Sequence, residues 1–102
     1  MRRLAPALAL VVLAVAGSGC GSTAKGPAGQ FASLGCGSCH TLKAAGSHGS
    51  VGPNLDKLKP SVDAVEQQVR NGGGGMPSFG GRLSATQIHA LAVYVSRSAG
   101  GR

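Results

Sequence analysis

Apolar residues along the chain fall into blocks of different rhythm. Residues 4–16 form an unbroken apolar run of thirteen, directly behind Arg2 and Arg3. Beyond it the apolar positions become periodic. Phe31 and Leu34 are three apart behind Pro27, a residue suited to a first helical turn, which predicts a helix over 27–34. Val62, Val65 and Val69 repeat at i, i+3 and i+7 between Pro60 and the stop at Gly72, predicting a second helix over 60–71. Ile88, Leu91, Ala92 and Val95 line one face of a third, over 84–98, and Ser84 with Gln87 has the form of a capping box at its start. No stretch alternates with period two, so no strand is expected. The pattern is all-α.

The apolar run over 4–16 is shorter than the ~18–20 residues a bilayer-spanning helix needs, and with its basic flank it reads as a secretory signal. Residues 21–29 contain only Gly, Ser, Thr, Ala, Lys and Pro and read as a flexible tether. The expected organisation is a signal over 1–19, a tether over 20–29 and one folded domain over 30–102. That domain has a thin core. From Phe31 onward there are seventeen large apolar side chains and no tryptophan, amid many glycines. So small a domain buries a modest share of its surface and calls for a staple.

Cys36-Gly37-Ser38-Cys39-His40 supplies one. Two cysteines two residues apart with a histidine directly after the second are the attachment signature of c-type haem. On one helical turn the sulfurs, at i and i+3, share a face and can both add to the vinyl groups of one porphyrin; His40, at i+4, shares it too and can reach the iron. Two other uses of such a pair fit less well. A thioredoxin-type dithiol belongs beside a strand–helix–strand pattern, which is absent from the sequence pattern. A zinc site needs four ligands, and Cys20, His48 and His89 are scattered. His48 lies in a Gly/Ser-rich loop and reads as solvated; His89 sits off the apolar stripe of its helix and reads as surface. Arg82 and Asn71 could contact a propionate or serve as solvated or capping side chains. A covalently held haem is also a large apolar body for a thin core to wrap.

Cys36-Gly-Ser-Cys-His40, Gly52-Pro53-Asn54-Leu55 and Met76-Pro77-Ser78-Phe79, in this order, resemble the small bacterial class I cytochromes c over roughly residues 27–99. The resemblance implies three to four helices around a single haem c, and electron transfer without substrate chemistry. It implies that the Pro53 carbonyl accepts the second ring N–H of His40, fixing the tautomer of that ligand, and that Leu55 packs on the porphyrin edge. It also points to Met76 as the sixth ligand. Once the signal is removed, Met76 is the only methionine, and it follows four glycines, a poor setting for helix core. A thioether on iron favours the reduced state, so a His/Met pair raises the potential relative to His/His. The alternatives are a gas-binding or sensing haem module with a labile Met76 and, without haem, a thiol–disulfide oxidoreductase.

The formal charge of +7 overstates the working charge. Without Arg2 and Arg3, eight basic side chains stand against three acidic ones, and two ionised propionates bring the sum near +3. The cations are spread out without interleaved aromatics, which argues against nucleic acid. A mildly basic monomer fits brief docking onto acidic-faced redox proteins such as a membrane oxidase, reductase or dehydrogenase. Two signal cleavages are readable. Ala14-Val15-Ala16 would release a soluble chain beginning at Gly17. Ser18-Gly19-Cys20 looks like a bacterial lipobox, with Gly17 where an aliphatic residue is usual. It gives the otherwise unused thiol of Cys20 a role as the lipidated first residue. The expected location is the periplasm or the outer face of the cytoplasmic membrane, with the lipid as anchor.

Overall fold

The computed structural model describes residues 26–101, so the signal, Cys20 and most of the tether lie outside the described residues. The described chain has four helices: α1 (Pro27–Ser33), α2 (Leu55–Leu58), α3 (Val62–Asn71) and α4 (Ala85–Ser98). Between α1 and α2 lie two 3₁₀ turns, Cys36–Ser38 and Lys43–Ala45, and a two-stranded antiparallel ribbon, β1 (Thr41–Leu42) with β2 (Ser47–His48). Among the described residues, no helix is long and apolar enough to cross a membrane.

Each helix starts where local chemistry permits. Gly26 caps α1, Pro27 occupies its first turn, and Gln30 N donates to Gly26 O at 2.9 Å. Residues 27–29 are therefore helical rather than part of the tether: proline presets the first-turn φ and loses no needed donor. α3 begins with the first valine of the period, two residues later than the expected start at Pro60, because Ser61 is its cap, its hydroxyl accepting from Ala64 N at 3.1 Å. α4 carries the full capping box, with Gln87 N donating to Ser84 Oγ and Ser84 N to Gln87 Oε1. α2 is set by Asn54, whose side-chain oxygen accepts from Asp56 N and Lys57 N. The strands of β1 and β2 are two residues long, too short to alternate, and α2 is too short for a helical period; neither left a periodic signal.

α3 and α4 form the main helix pair, and α1 packs on α4. The predicted stripe of α4 is its buried face: Ile88, Leu91, Ala92 and Val95 are all buried. From α3 Val65 and Val69 join them, while Val62 is only partly buried. Phe31 of α1 is buried and meets Tyr94 edge-on, ring centroids 6.0 Å apart. Seven of the eleven buried apolar residues also line one large cleft, so the core is arranged around a space rather than closed on itself.

Candidate functional site

That cleft has a volume of about 800 Å³. Cys36, Cys39, His40, Pro53 and Leu55 line it, and so does Met76 in the segment after α3. The structure thus brings together Cys36, Cys39, His40, Pro53, Leu55 and Met76, and leaves Asn71, Arg82, His48 and His89 out of the lining. Most of the lining is apolar, the usual character of a site for a flat cofactor, and the volume lies within the range of cofactor pockets.

The cysteine motif is a tight turn. Gly35, at φ 79°, opens the 3₁₀ turn, and Cys39 N and His40 N both donate to Cys36 O, at 3.2 and 3.0 Å. This one-turn geometry puts the two thiols and the imidazole at the same cleft. Burial is the main influence on the Cys36 thiol and pushes its pKa up, assisted by the nearby Cys39 and opposed by a backbone hydrogen bond. Reactive dithiols work by the opposite shift. The thiol–disulfide reading has no support in this environment.

His40 is oriented by a backbone carbonyl. Its Nδ1–H donates to the Pro53 carbonyl at 2.8 Å, which leaves Nε2 as the nitrogen with a free lone pair. A carbonyl accepts only, so the contact settles the tautomer. The loop that carries Pro53 is stitched onto the motif: Gly52 N donates to Cys39 O at 2.7 Å, and Thr41 Oγ1 donates to Gly49 O at 2.8 Å. Ser47 Oγ donates to His40 O and accepts from Leu42 N, both at 3.0 Å. Two glycines make this stitching possible. A Cβ on Gly52 would lie 2.6 Å from His40 Cε1, and one on Gly49 would lie 2.6 Å from the Cys39 and Ser38 backbone. Ser47 and Gly49 sit in a loop whose sequence reads as featureless, and their roles emerge only from the pairing of β1 with β2.

On the same cleft, Met76 ends a two-residue hairpin. Gly73 N donates to Met76 O at 2.9 Å and Met76 N to Gly73 O at 3.1 Å, with Gly74 and Gly75 at the tip, both at positive φ. Type I′ tips need that conformation at both positions, which explains the glycine pair. Behind it, Phe79 is buried and Arg82 lies over its ring, 4.9 Å from the centroid, so the Arg82 guanidinium stacks on Phe79. His89 Nδ1 lies 3.0 Å from Glu66 Oε2, joining α4 to α3 at the surface.

Comparison with known proteins agrees with this geometry. The profile of the family described as "Cytochrome C oxidase, cbb3-type, subunit III" matches residues 22–95. A cytochrome c6 of Leptolyngbya boryana is 37% identical over 71 residues, covering 66% of this chain and 84% of that protein. A cytochrome c6 of Microcystis aeruginosa is 60% identical over a shorter stretch of 37 residues, 36% of this chain and 46% of the relative. Among solved structures, the c-type cytochrome SorU from Sinorhizobium meliloti superposes with a TM-score of 0.60 at 48% identity, covering 65% of this chain and 75% of SorU. The attachment turn, the oriented imidazole and the apolar cleft fit a single haem. The chain belongs to the cbb3-type cytochrome c oxidase subunit III family and is a small class I cytochrome c, an electron-transfer protein with one covalently bound haem c.

Proposed function

We propose that the chain is a one-electron carrier working between exported or membrane-bound redox proteins, in which His40 and Met76 would hold the iron. The observation that carries this reading is the pairing of His40, its tautomer fixed by Pro53, with Met76 on the cleft they share. When bound, the cofactor supplies the Fe(III)/Fe(II) couple. The protein's residues supply the rest. Cys36 and Cys39 hold the macrocycle covalently, and the Pro53 carbonyl makes the His40 imidazole a better donor. The Met76 thioether favours Fe(II). Leu55, Val65, Val69 and Leu91 keep water from the faces, and the low dielectric they create penalises the extra charge of Fe(III).

The same reading names the docking face. Val51 and Leu58 line the cleft yet are 84% and 57% exposed, an unusual position for large apolar side chains. Lys57 and Lys59 flank Leu58, and neither has an ion-pair partner among the described residues, whereas Asp56 is engaged with the Lys43 N–H. An apolar edge with flanking cations suits an acidic-faced partner; the cations act mainly on encounter rate, and the contact stays brief. The chain works outside the cytoplasm in this reading, with lipidated Cys20 as its anchor. A tether of the six residues 21–26 ahead of α1, averaging about 12–15 Å end to end, keeps the haem near membrane partners.

Met76→Ala tests the ligand assignment. The haem should stay attached, because the thioether bonds are untouched. The potential should fall, the weak Met–iron absorption of the oxidised protein should vanish, and the reduced protein should bind carbon monoxide. A variant with the parent's potential and no carbon monoxide binding would show that Met76 is not the ligand.

A further inference from the structure

The segment before Met76 is held in an unusual way. Gly72, Gly73, Gly74 and Gly75 all have positive φ, at 69°, 116°, 63° and 93°. Gly72 is cramped: a Cβ there would lie 2.7 Å from Met76 O and Ser78 N. The three glycines that follow have nothing within 4 Å of a would-be Cβ. Packing therefore does little to restrain the hairpin, and glycine is the residue that loses most freedom on being ordered. Hydrogen bonds restrain it instead, and beyond the hairpin's own Gly73–Met76 pair they return to the last turns of α3.

Two groups of contacts do this, one on each side of Met76. Upstream, Gln68 Nε2 donates to Gly73 O at 3.2 Å, the same carbonyl that Met76 N uses. Downstream, Ser78 Oγ donates to Arg70 O at 2.6 Å, beside backbone donation from Phe79 N to Val69 O at 2.9 Å and from Gly80 N to Arg70 O at 3.2 Å. The carbonyls at the end of α3 lack helical donors. Here the chain on the far side of Met76 satisfies them, so α3 and the Met76 segment form one unit.

We infer that Gln68 and Ser78 are positioning residues that act as a two-sided latch, holding Met76 over the cleft and keeping its position closed to exogenous ligands. This rests on the reading of Met76 as the distal ligand. Gln68 grips the arm that leads into Met76 and Ser78 the arm that leaves it. Without them the segment keeps its own backbone pairing, the Gly72 N–H on Gln68 O at 2.7 Å and two downstream amides, none of which holds the Gly73 carbonyl or the Ser78 side chain to α3. The latch is what separates a carrier from a ligand-binding haem module on this fold: it sets how often the thioether leaves the iron.

The experiment compares Gln68→Leu, Ser78→Ala and the double variant with the parent, each as the matured holoprotein. The readouts are the rate of carbon monoxide binding to the reduced protein and the Met–iron absorption of the oxidised one. Each hydrogen bond has a modest net value, so each single change should raise the carbon monoxide rate about three- to tenfold, and the double more than either, with haem content unchanged. Ser78→Thr keeps the hydroxyl and should keep the parent's rate. Val62→Ala, which weakens α3 away from the latch, should lower the unfolding midpoint and leave the rate alone. A double variant as inert as the parent, when Met76→Ala binds carbon monoxide readily, overturns the latch and leaves the ligand assignment standing. A Met76→Ala protein as inert as the parent overturns the assignment, and the latch with it. A rate that rises equally in Val62→Ala also overturns the latch, since general loosening would then explain it.

Discussion

Gly52→Ala adds a single methyl group, and the structure says where it goes. The new Cβ would lie 2.6 Å from His40 Cε1, 2.9 Å from Nδ1 and 3.2 Å from Nε2. Carbon atoms in ordinary contact sit about 3.5–4.0 Å apart, so the ring or the loop must withdraw by roughly 1 Å. The ring cannot do so and keep its hydrogen bond. From 2.8 Å, the Nδ1–Pro53 distance would stretch beyond the range of a real bond. The loop has little room to yield, because Gly52 N is itself bonded to Cys39 O at 2.7 Å. Forcing an extra carbon into a packed site costs about 1–3 kcal/mol, and losing the bond about 0.5–1.5 kcal/mol more. The sum, about 1.5–4.5 kcal/mol, is a large share of a small domain's stability. Denaturant unfolding of the holoprotein measures it. Because the lost bond is the one that strengthens His40 as a donor, the reduction potential should change as well, with haem still attached. An unfolding midpoint and a potential both equal to the parent's would refute the reasoning, by showing that the loop absorbs the methyl without moving His40.

Further outcomes follow from other contacts. Cys39→Ala should lower covalent haem content and, because most of the core faces the cleft, the helical signal of the purified protein too; circular dichroism and a haem-stain assay check both. Glu66 bears on acid stability. The hydrogen bond from His89, then that from Arg70, outweighs desolvation and holds its carboxyl below the ordinary 4.5. A depressed folded value means that its contribution is present above 4.5 and fades as pH falls through the lower folded value. Glu66→Gln should therefore flatten the decline in the denaturant midpoint below pH 4.5, and an unchanged slope there would count against the link. Cys20→Ser should convert a membrane-associated protein into a soluble exported one with an unchanged haem spectrum. A parent that is already soluble, with Gly17 first, would rule out the lipid anchor.

Legibility in the sequence tracked the range of the interaction. α4 was readable almost to the residue because its cap and its apolar stripe are both local: Ser84 and Gln87 are three apart, and Ile88 to Val95 repeat with the helical period. α3 was readable as a helix, but its start was not, since Pro60 and Ser61 both suit a first turn and only the hydroxyl contact to Ala64 N separates them. The attachment turn was plain from spacing alone. By contrast, Gln68 and Ser78 are ordinary polar residues in the sequence. Their use depends on α3 lying beside the chain on either side of Met76, five residues away for Gln68 and Gly73 and eight for Ser78 and Arg70. Ser47 is similar: the serine in Gly46-Ser47-His48 looks like loop filler until β1 and β2 pair and bring its hydroxyl to His40 O. What stayed hidden was hydrogen bonding between segments that carry no periodic signal.

The division of labour in the core gives the covalent attachment its physical sense. Ile88, Ala92, Ala99 and Leu42 are buried away from the cleft, and they are the apolar minority that the protein packs against itself. Phe31, Leu55, Val65, Val69, Phe79, Leu91 and Val95 are buried yet present a face to the cleft, so each completes its packing against whatever fills it. These seven come from α1, α2, α3, α4 and the Met76 segment, so the filling is what all the helices share. A group of that importance cannot be allowed to leave: on loss, every helix would expose apolar surface at about 25 cal/mol per Å². Two thioether bonds remove that route. In the proposed ligation the easily broken link would be the one to Met76, which is where two hydrogen bonds between its segment and the end of α3 are applied. On this fold the cysteines would keep the cofactor in the protein, and the proposed latch would keep the iron to electron transfer.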